Sequence, residues 1–427
     1  MMQKVILIGA GNRGQTYTQY MQDDRFQVVA VAEPVKERRE FIRQRHDLPE
    51  DMCFSSWESL LKMPKFADLV IISTMDRDHF APAIAAIQKK YNLLLEKPVC
   101  PTPEECLALR KAAQENGVKV LVCHVLRYTH FFGKLKALID ADYVGKIMCI
   151  EHNECVGNTH QSHSFVRGNW GNADRSSSML LQKCCHDMDI LQWLIGSKCT
   201  KVQSFGSLQY FREENAPEGA PDYCIDGCPH ADDCCYNAVK LYVEAEKNLW
   251  FREAATQKKK PSNEDVAHAL RTTQYGKCVF KCDNNVVDHQ VVNLEFESGA
   301  LATFNMCAFN EGGRFIRVMG TKGELVGGTQ RDTIDYFCFR TREHIKIPIM
   351  AKGTLGNTIA EGHGGGDAGI VDVLYRYLTE DYSGSLLSEI GISVDNHMIV
   401  FAAEKSRLDG CVVDIQQYIQ QLESSLG

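Results

Sequence analysis

No apolar stretch among the 427 residues approaches the roughly 18 that a membrane-spanning helix needs, so the sequence predicts no membrane partner. Nor is there an excess of basic charge. Lys and Arg number 47 against 55 Asp and Glu, a net charge of -8, which removes the electrostatic reason to expect nucleic acid or an anionic surface. Internal repeats are absent, and 44% hydrophobic with 24% charged residues is the balance of a globular chain, which excludes coiled coil, collagen and wholesale disorder. No secretory leader is expected, because the first apolar run, Val5 to Ile8, passes directly into glycines and reads as a first strand. What the chain does have is cysteine, 18 in all. Most lie singly in apolar runs, as Cys123, Cys149, Cys307 and Cys338 do, where a thiol packs as a small hydrophobe. A reducing, cytoplasmic setting and a small-molecule partner are the expectations.

The length predicts two lobes. Up to about residue 125, short apolar runs (Val5 to Ile8, Val28 to Ala32, Leu69 to Ser73, Leu93 to Leu95, Val118 to Cys123) alternate with helical segments (Gly14 to Met21, Lys36 to Arg45, His79 to Lys89, Pro103 to Asn116). Thr102 and Gly117 are the expected cap and stop of the last helix. That alternation predicts an α/β lobe over 1–125, a doubly wound parallel sheet of Rossmann type. Over 126–427 the texture changes to alternating strands such as Val291 to Phe296, Ala300 to Met306, Phe315 to Met319 and Ile334 to Phe339. An α+β lobe with a large, mainly antiparallel open sheet is predicted there, ending in helices near Ala368 to Leu378 and Val394 to Arg407. Proline, charge and clustered cysteine mark Tyr210 to Gln274 as an excursion on one edge of it.

Gly9-Ala10-Gly11-Asn12-Arg13-Gly14 follows the first strand and opens a helix, the context in which a G-x-G-x-x-G pattern binds a dinucleotide. The glycines let the backbone turn and approach a pyrophosphate at the helix N-terminus. Glu33 ends the next strand, where a carboxylate accepts from ribose hydroxyls and repels a 2′-phosphate. NAD is therefore the expected cofactor, with NADP the alternative that nearby Lys36, Arg38 and Arg39 keep open.

Leu95-Glu96-Lys97-Pro98 stands at the carboxyl edge of the same sheet, where the proline fixes a bend, a cis peptide being one form, and aims Lys97 into the cleft. Fingerprint, Glu-Lys-Pro element and the following second lobe together resemble the Gfo/Idh/MocA family of nicotinamide-dependent sugar and polyol oxidoreductases, over essentially the whole chain. The resemblance implies that Lys97 lies between nicotinamide and substrate, and that Thr74, His79 and Glu96 border the cofactor. It also points to Gln182-Lys183-Cys184-Cys185-His186-Asp187-Met188-Asp189, on a helix starting near the serines at 176–178, where His186 would work with Lys97 as general acid and base. Lys183, His186 and Asp189, three apart, would share one helical face. Many relatives carry aspartate where this chain has Gln182, and either Lys183 or Asp187 would take its place in the proton relay.

The segment Glu151 to Trp170 is dense in donors, acceptors and rings, the chemistry that recognises hydroxyl-rich ligands. His160, His163, Arg167 and Trp170 are its expected substrate contacts, with Lys183, Asp187, His124 and Arg127 beside them. A glycine-rich loop offers His363 and Asp367, either as pocket residues or as a tight loop with a capping aspartate. Cys224-x3-Cys228-x5-Cys234-Cys235, with His230 between, fits no standard metal pattern cleanly and reads as packed thiols or as a structural metal site, not a catalytic one. The resulting expectation is an NAD-dependent dehydrogenase acting on a secondary hydroxyl of a sugar or glycoside, C3 favoured, and assembled as a homo-oligomer. Its rivals are a redox-neutral NAD-dependent glycosidase working through a 3-keto intermediate with Tyr128 as helper base, an inositol or polyol dehydrogenase, and a non-catalytic NAD-binding sensor.

Overall fold

The computed structural model describes residues 2–245, 248–349, 364–380 and 382–426. Its first sheet is parallel and six-stranded: β1 (Gln3–Ile8), β2 (Phe26–Ala32), β3 (Cys53–Phe54), β4 (Leu69–Ile72), β5 (Asn92–Leu95) and β6 (Val120–Val122), in the order β3-β2-β1-β4-β5-β6. Strands buried on both faces need continuous apolar runs, and Leu69–Ile72 and Leu93–Leu95 are wholly buried. Order reverses between β1 and β4, and this is the point where doubly wound sheets open a crevice for ligands. The Pro103–Asn116 helix is capped as expected: Thr102 accepts from the Glu105 N–H, and Gly117 closes it at φ 62°. Two-residue β3 was not foreseen, since so short a strand leaves no periodicity to read.

The second sheet has nine strands: β7 (Ile147–Cys155), β8 (Cys199–Ser207), β9 (His289–Phe296), β10 (Leu301–Cys307), β11 (Gly313–Gly320), β12 (Gly323–Gly328), β13 (Thr333–Cys338), β14 (His344–Pro348) and β15 (Val413–Asp414). Their order is β14-β13-β12-β11-β7-β10-β9-β8-β15, antiparallel except where β7 runs parallel to β10. Alternating burial along β9 and β10 leaves one face on the core and the other open, with Phe205 and Leu301 exposed on it. The excursion fills the chain between β8 and β9 and carries helices Leu249–Thr256 and Asn263–Thr272 over its own small core around Tyr242, Phe251 and Leu270.

After β14 the chain returns to the first lobe. Ile370, Val371 and Leu374 of the Gly366–Thr379 helix pack in one cluster with Val5, Leu7 and Leu121. The Ile390–Asp409 helix then joins the core that spans both lobes. No helix among the described residues is long and apolar enough to cross a membrane.

Candidate functional site

The glycines of the turn after β1 do three different jobs. Gly9 has φ 88°, and a Cβ there would stand 2.6 Å from the Ser73 carbonyl oxygen. Gly14 abuts Gly9, whose carbonyl oxygen would lie 2.2 Å from its Cβ, so the helix packs against the strand turn. Gly11 faces open space with nothing within 4 Å, and it caps the Asn12–Gln19 helix without any side-chain bond to the first-turn N–H groups. Bare helix N–H groups beneath an open glycine face fit a dinucleotide pyrophosphate. Glu33 lies at the rim, its carboxylate accepting from Ala10 N–H at 2.7 Å and Val35 N–H at 2.9 Å. Lone pairs remain for ribose hydroxyls. Arg38 bonds Gln257 and Arg39 turns back to the Glu33 and Pro34 carbonyls, so neither guanidinium is held toward a 2′-phosphate.

Arg13 departs from its expected place on the cofactor. Its guanidinium pairs with Glu96 at 2.8 Å and Asp367 at 2.6 Å, leaving only its main chain to the pyrophosphate cradle. Glu96 is correspondingly buried, accepting from Tyr17 at 2.5 Å and from the Lys97 N–H at 2.8 Å. Against the effect of burial, the charges of Arg13 and Lys97 hold its carboxyl below the ordinary range. Asp367, second residue of its helix, is thus a brace for the fingerprint and not a pocket wall. His79 is also withdrawn: 1% exposed, its Nδ1–H donates to the Pro98 carbonyl at 2.7 Å and ties two loops together. Thr74 sits beside it, its hydroxyl donating to the Asp78 carbonyl. His363 lies outside the described residues.

Lys97 and Pro98 are joined by a cis peptide. The half-buried Lys97 ammonium donates to the Gln182 carbonyl oxygen at 2.7 Å, across the two lobes. Gln182 therefore holds the lysine through its main chain, and two ammonium protons remain for a ligand. His186 lies four residues on, at the start of the next helix, half-buried, its ring edge-to-face with His124 at 5.7 Å. His124 is fully buried, with neither ring nitrogen hydrogen-bonded among the described residues, and burial lowers its pKa. It forms the floor behind His186, not a surface for substrate.

The single helical face expected for Lys183, His186 and Asp189 is not formed, because helix Met179–Gln182 ends in a turn before helix Cys185–Ile195 begins. Lys183 points to Glu154 at 3.5 Å. Asp189 pairs with Arg127 at 2.6 Å, and Asp187 is buried against His152 and Arg314 at 2.8 and 2.7 Å. Asp187 and Arg127, expected as substrate contacts, are instead internal braces, since Asp187 is engaged by His152 and Arg314 and Arg127 by Asp189 and the Ser385 and Leu387 carbonyls. Arg314, which sequence reading missed, lies opposite Glu154 in the β11–β7 register and pairs with it at 2.6 Å.

His160 lies among these cations. Burial, and then the charges of Lys183, His163, Arg314 and Lys97, push its pKa well below the ordinary value, so it is a neutral wall of the cleft. His163 and Arg167 fall on the far side of the Gln161–Arg167 π-helical segment and serve the excursion. His163 bonds Tyr242 at 2.6 Å and stacks on Phe251 at 4.0 Å, while Arg167 bonds the Lys277 and Tyr236 carbonyls. Neither reaches the cleft. Trp170 packs half-buried on Phe165, and the exposed indole near the cleft is instead Trp250, perpendicular to His160 at 5.4 Å and 41% exposed. Its only sequence signal was an aromatic pair, Trp250-Phe251, within the excursion.

A dinucleotide cradle below a lysine and a histidine brought in from separate lobes defines a nicotinamide-dependent oxidoreductase. The family of oxidoreductases with an NAD-binding Rossmann fold matches residues 3–124, and its C-terminal alpha/beta domain matches 136–336. The chain belongs to the Gfo/Idh/MocA family. It is 22% identical over 356 residues to the oxidoreductase YteT of Bacillus subtilis, covering 76% of this chain and 78% of that protein. Over 203 residues it is 26% identical to the 2,7-anhydro-N-acetylneuraminate hydratase of Escherichia coli, 47% of this chain and 51% of that protein. Among solved structures, an Agrobacterium radiobacter oxidoreductase in complex with NAD+, L-tartaric acid and magnesium superposes with TM-score 0.69 at 12% identity, covering 98% and 100% of the two chains. The WlbA dehydrogenase of Bordetella pertussis, in complex with NADH and UDP-GlcNAcA, gives 0.66 at 16%, covering 97% of each. The protein is an NAD-dependent oxidoreductase.

Proposed function

We propose that it oxidises a secondary hydroxyl of a sugar or glycoside, C3 favoured, with His186 accepting the hydroxyl proton and Lys97 polarising the oxygen. The observation that carries this reading is Lys97 held across the lobes on Gln182, four residues before His186, at the carboxyl edge of the dinucleotide-binding sheet. Bound NAD supplies the hydride acceptor. The two free ammonium protons of Lys97 stabilise the developing alkoxide, while His186 takes the proton it loses; together a positioned base and donor supply about 10² to 10⁴ in rate. Thr74, Glu33, Gly9, Gly11 and Gly14 border the cofactor in this reading.

The Lys97 ammonium, with two protons left beyond its bond to Gln182, favours a substrate bearing a carboxylate beside the reacting hydroxyl, and Trp250 supplies a ring face for a pyranose. The two relatives named for N-acetylneuraminate and crystallised with UDP-GlcNAcA handle acidic sugars, which supports the same class. Tyr128 is unsuited as the helper base of a glycosidase: its hydroxyl is engaged with Ser388 at 3.0 Å and burial raises its pKa. The open sheet face carrying Phe205 and Leu301 supports a homo-oligomer, and a division into lobes of 1–125 and 126–427 belongs to the same proposal.

Purified protein with NAD and a panel of neutral and carboxylated sugars and glycosides, followed by product mass and cofactor reduction, tests the assignment. A product two mass units lighter is expected from a carboxylated pyranose, and Lys97→Ala is expected to lose turnover at least about a hundredfold with NAD affinity unchanged. Unchanged turnover in that variant removes Lys97 from the chemistry. Aglycone release without net reduction would instead establish the redox-neutral outcome.

A further inference from the structure

The excursion buries a positive charge that no carboxylate among the described residues answers. Arg167 is 0% exposed; its Nε–H and one Nη2–H donate to the Lys277 and Tyr236 carbonyls, the Tyr242 hydroxyl lies beside it, and no carboxylate pairs with it among the described residues. Nη2 also lies 3.7 Å from the Cys224 sulfur. A guanidinium so enclosed requires an anion nearby. Beside it is a cavity of about 20 Å³, walled by Cys224, Cys228, Cys234 and Cys278 with Arg167. Backbone pairing brings these cysteines together from distant segments: Tyr223 bridges Lys277, and the Cys278 N–H donates to the Asp222 carbonyl at 2.8 Å. Gly227, at φ 83°, turns the chain between Cys224 and Cys228.

We propose that Cys224, Cys228, Cys234 and Cys278 bind one zinc ion, as a structural tetrathiolate whose net negative charge is shared with Arg167. Four S–H bonds give their protons to solvent, four S–Zn bonds replace the water of the hydrated ion, and nothing is oxidised or reduced. Four convergent thiols are the donor set of a structural zinc site. Among the described residues no three His, Cys, Asp or Glu side chains already stand at ligand geometry. A rotamer change swings a sulfur by roughly 3 Å, enough to close the walls of so small a space onto the ion. Four protein ligands leave no open position, so the ion braces. It ties both cysteine segments to the end of the Gln161–Arg167 segment, whose other end adjoins His160 in the cleft.

Elemental analysis of the full-length protein, purified without chelator, is expected to find about one zinc per chain. Cys228→Ser and Cys278→Ser are expected to lose it. Cys282→Ser keeps it, because that sulfur donates to the Cys278 carbonyl and does not line the cavity. Should the serine variants fail to fold, cobalt(II) added to chelator-stripped wild-type protein provides the second readout, with the intense bands of a tetrahedral thiolate site expected. Zinc retained by both serine variants, no thiolate band with cobalt, or iron with acid-labile sulfide in place of zinc would overturn the proposal.

Discussion

One added methyl group would separate the two kinds of glycine in the fingerprint. Gly14→Ala drives a Cβ to 2.2 Å from the Gly9 carbonyl oxygen, an overpacked contact between helix and strand turn that costs about 1–3 kcal/mol. Gly11→Ala meets nothing within 4 Å. Thermal denaturation is expected to show a lowered Tm for the first and an unchanged one for the second, whose KM for NAD rises roughly tenfold, the equivalent of about 1.4 kcal/mol. Equal Tm losses would mean that Gly11 too is a packing glycine. Histidines make a second residue-scale prediction. Burial lowers His163 and His397 from the ordinary 6.5 to about 3 in the fold. Above pH 6.5 both folded and unfolded chains leave them neutral, and their contribution to stability is whole. Below it the unfolded chain takes the protons first, and stability falls by about 1.4 kcal/mol per pH unit for each histidine until pH nears 3. His163→Phe keeps the stack on Phe251, gives up the Tyr242 bond and removes one titration, so its Tm should decline less steeply below pH 6.5 than that of the wild type. Parallel declines would show that His163 does not titrate on unfolding.

At the scale of elements, the sequence was legible where one segment carried its own signal. The β1 turn, Gly-x-Gly-x-x-Gly and the acid ending β2 lie within one βαβ unit, and each local feature reports the same ligand. The cap at Thr102 and the stop at Gly117 are equally local. What stayed hidden depends on pairing at long range. Arg314 reaches Asp187 only because β11 lies antiparallel to β7, and the break between helices at Lys183 and Cys184 carries no proline or glycine to announce it. His163 and Arg167 read as ligands because the polar segment gave no sign of which side would face the excursion. The excursion itself has a functional consequence. Its Leu249–Thr256 helix presents Trp250 beside His160, and Gln257 just beyond accepts from Arg38 in the cofactor lobe. Trp250→Ala is expected to raise the substrate KM about tenfold with kcat little changed, and Trp250→Phe to recover most of it, the pattern of a stacking platform. A fall in kcat at constant KM would assign the indole to catalytic positioning instead.

For the molecule as a whole, the question is what keeps two lobes in register so that a lysine from one meets a histidine from the other. Asp76, in the loop after β4, accepts from Ser176 and Ser177 just ahead of the His186 helices. More deeply, Arg127 follows the last strand of the first sheet and forms a two-point pair with Asp189 on the His186 helix, 2.7 and 2.6 Å, while Asn396 of the Ile390–Asp409 helix donates to the same carboxylate. Both charges are almost wholly buried. Losing one partner strands the other, so Arg127→Met is expected to cost about 3–5 kcal/mol, whereas apolar replacement of both partners is often close to neutral. Arg127→Met with Asp189→Leu should therefore recover much of the Tm lost by Arg127→Met alone. Activity is expected to recover less than stability, because Asn396 and the Ser385 and Leu387 carbonyls that Arg127 also engages lose their common anchor and the His186 helix is free to shift. Denaturation and steady-state kinetics on the two variants separate the roles. If kcat returns together with Tm, the pair contributes only to stability; if Tm returns alone, this buried pair sets the distance across which His186 and Lys97 act on one substrate.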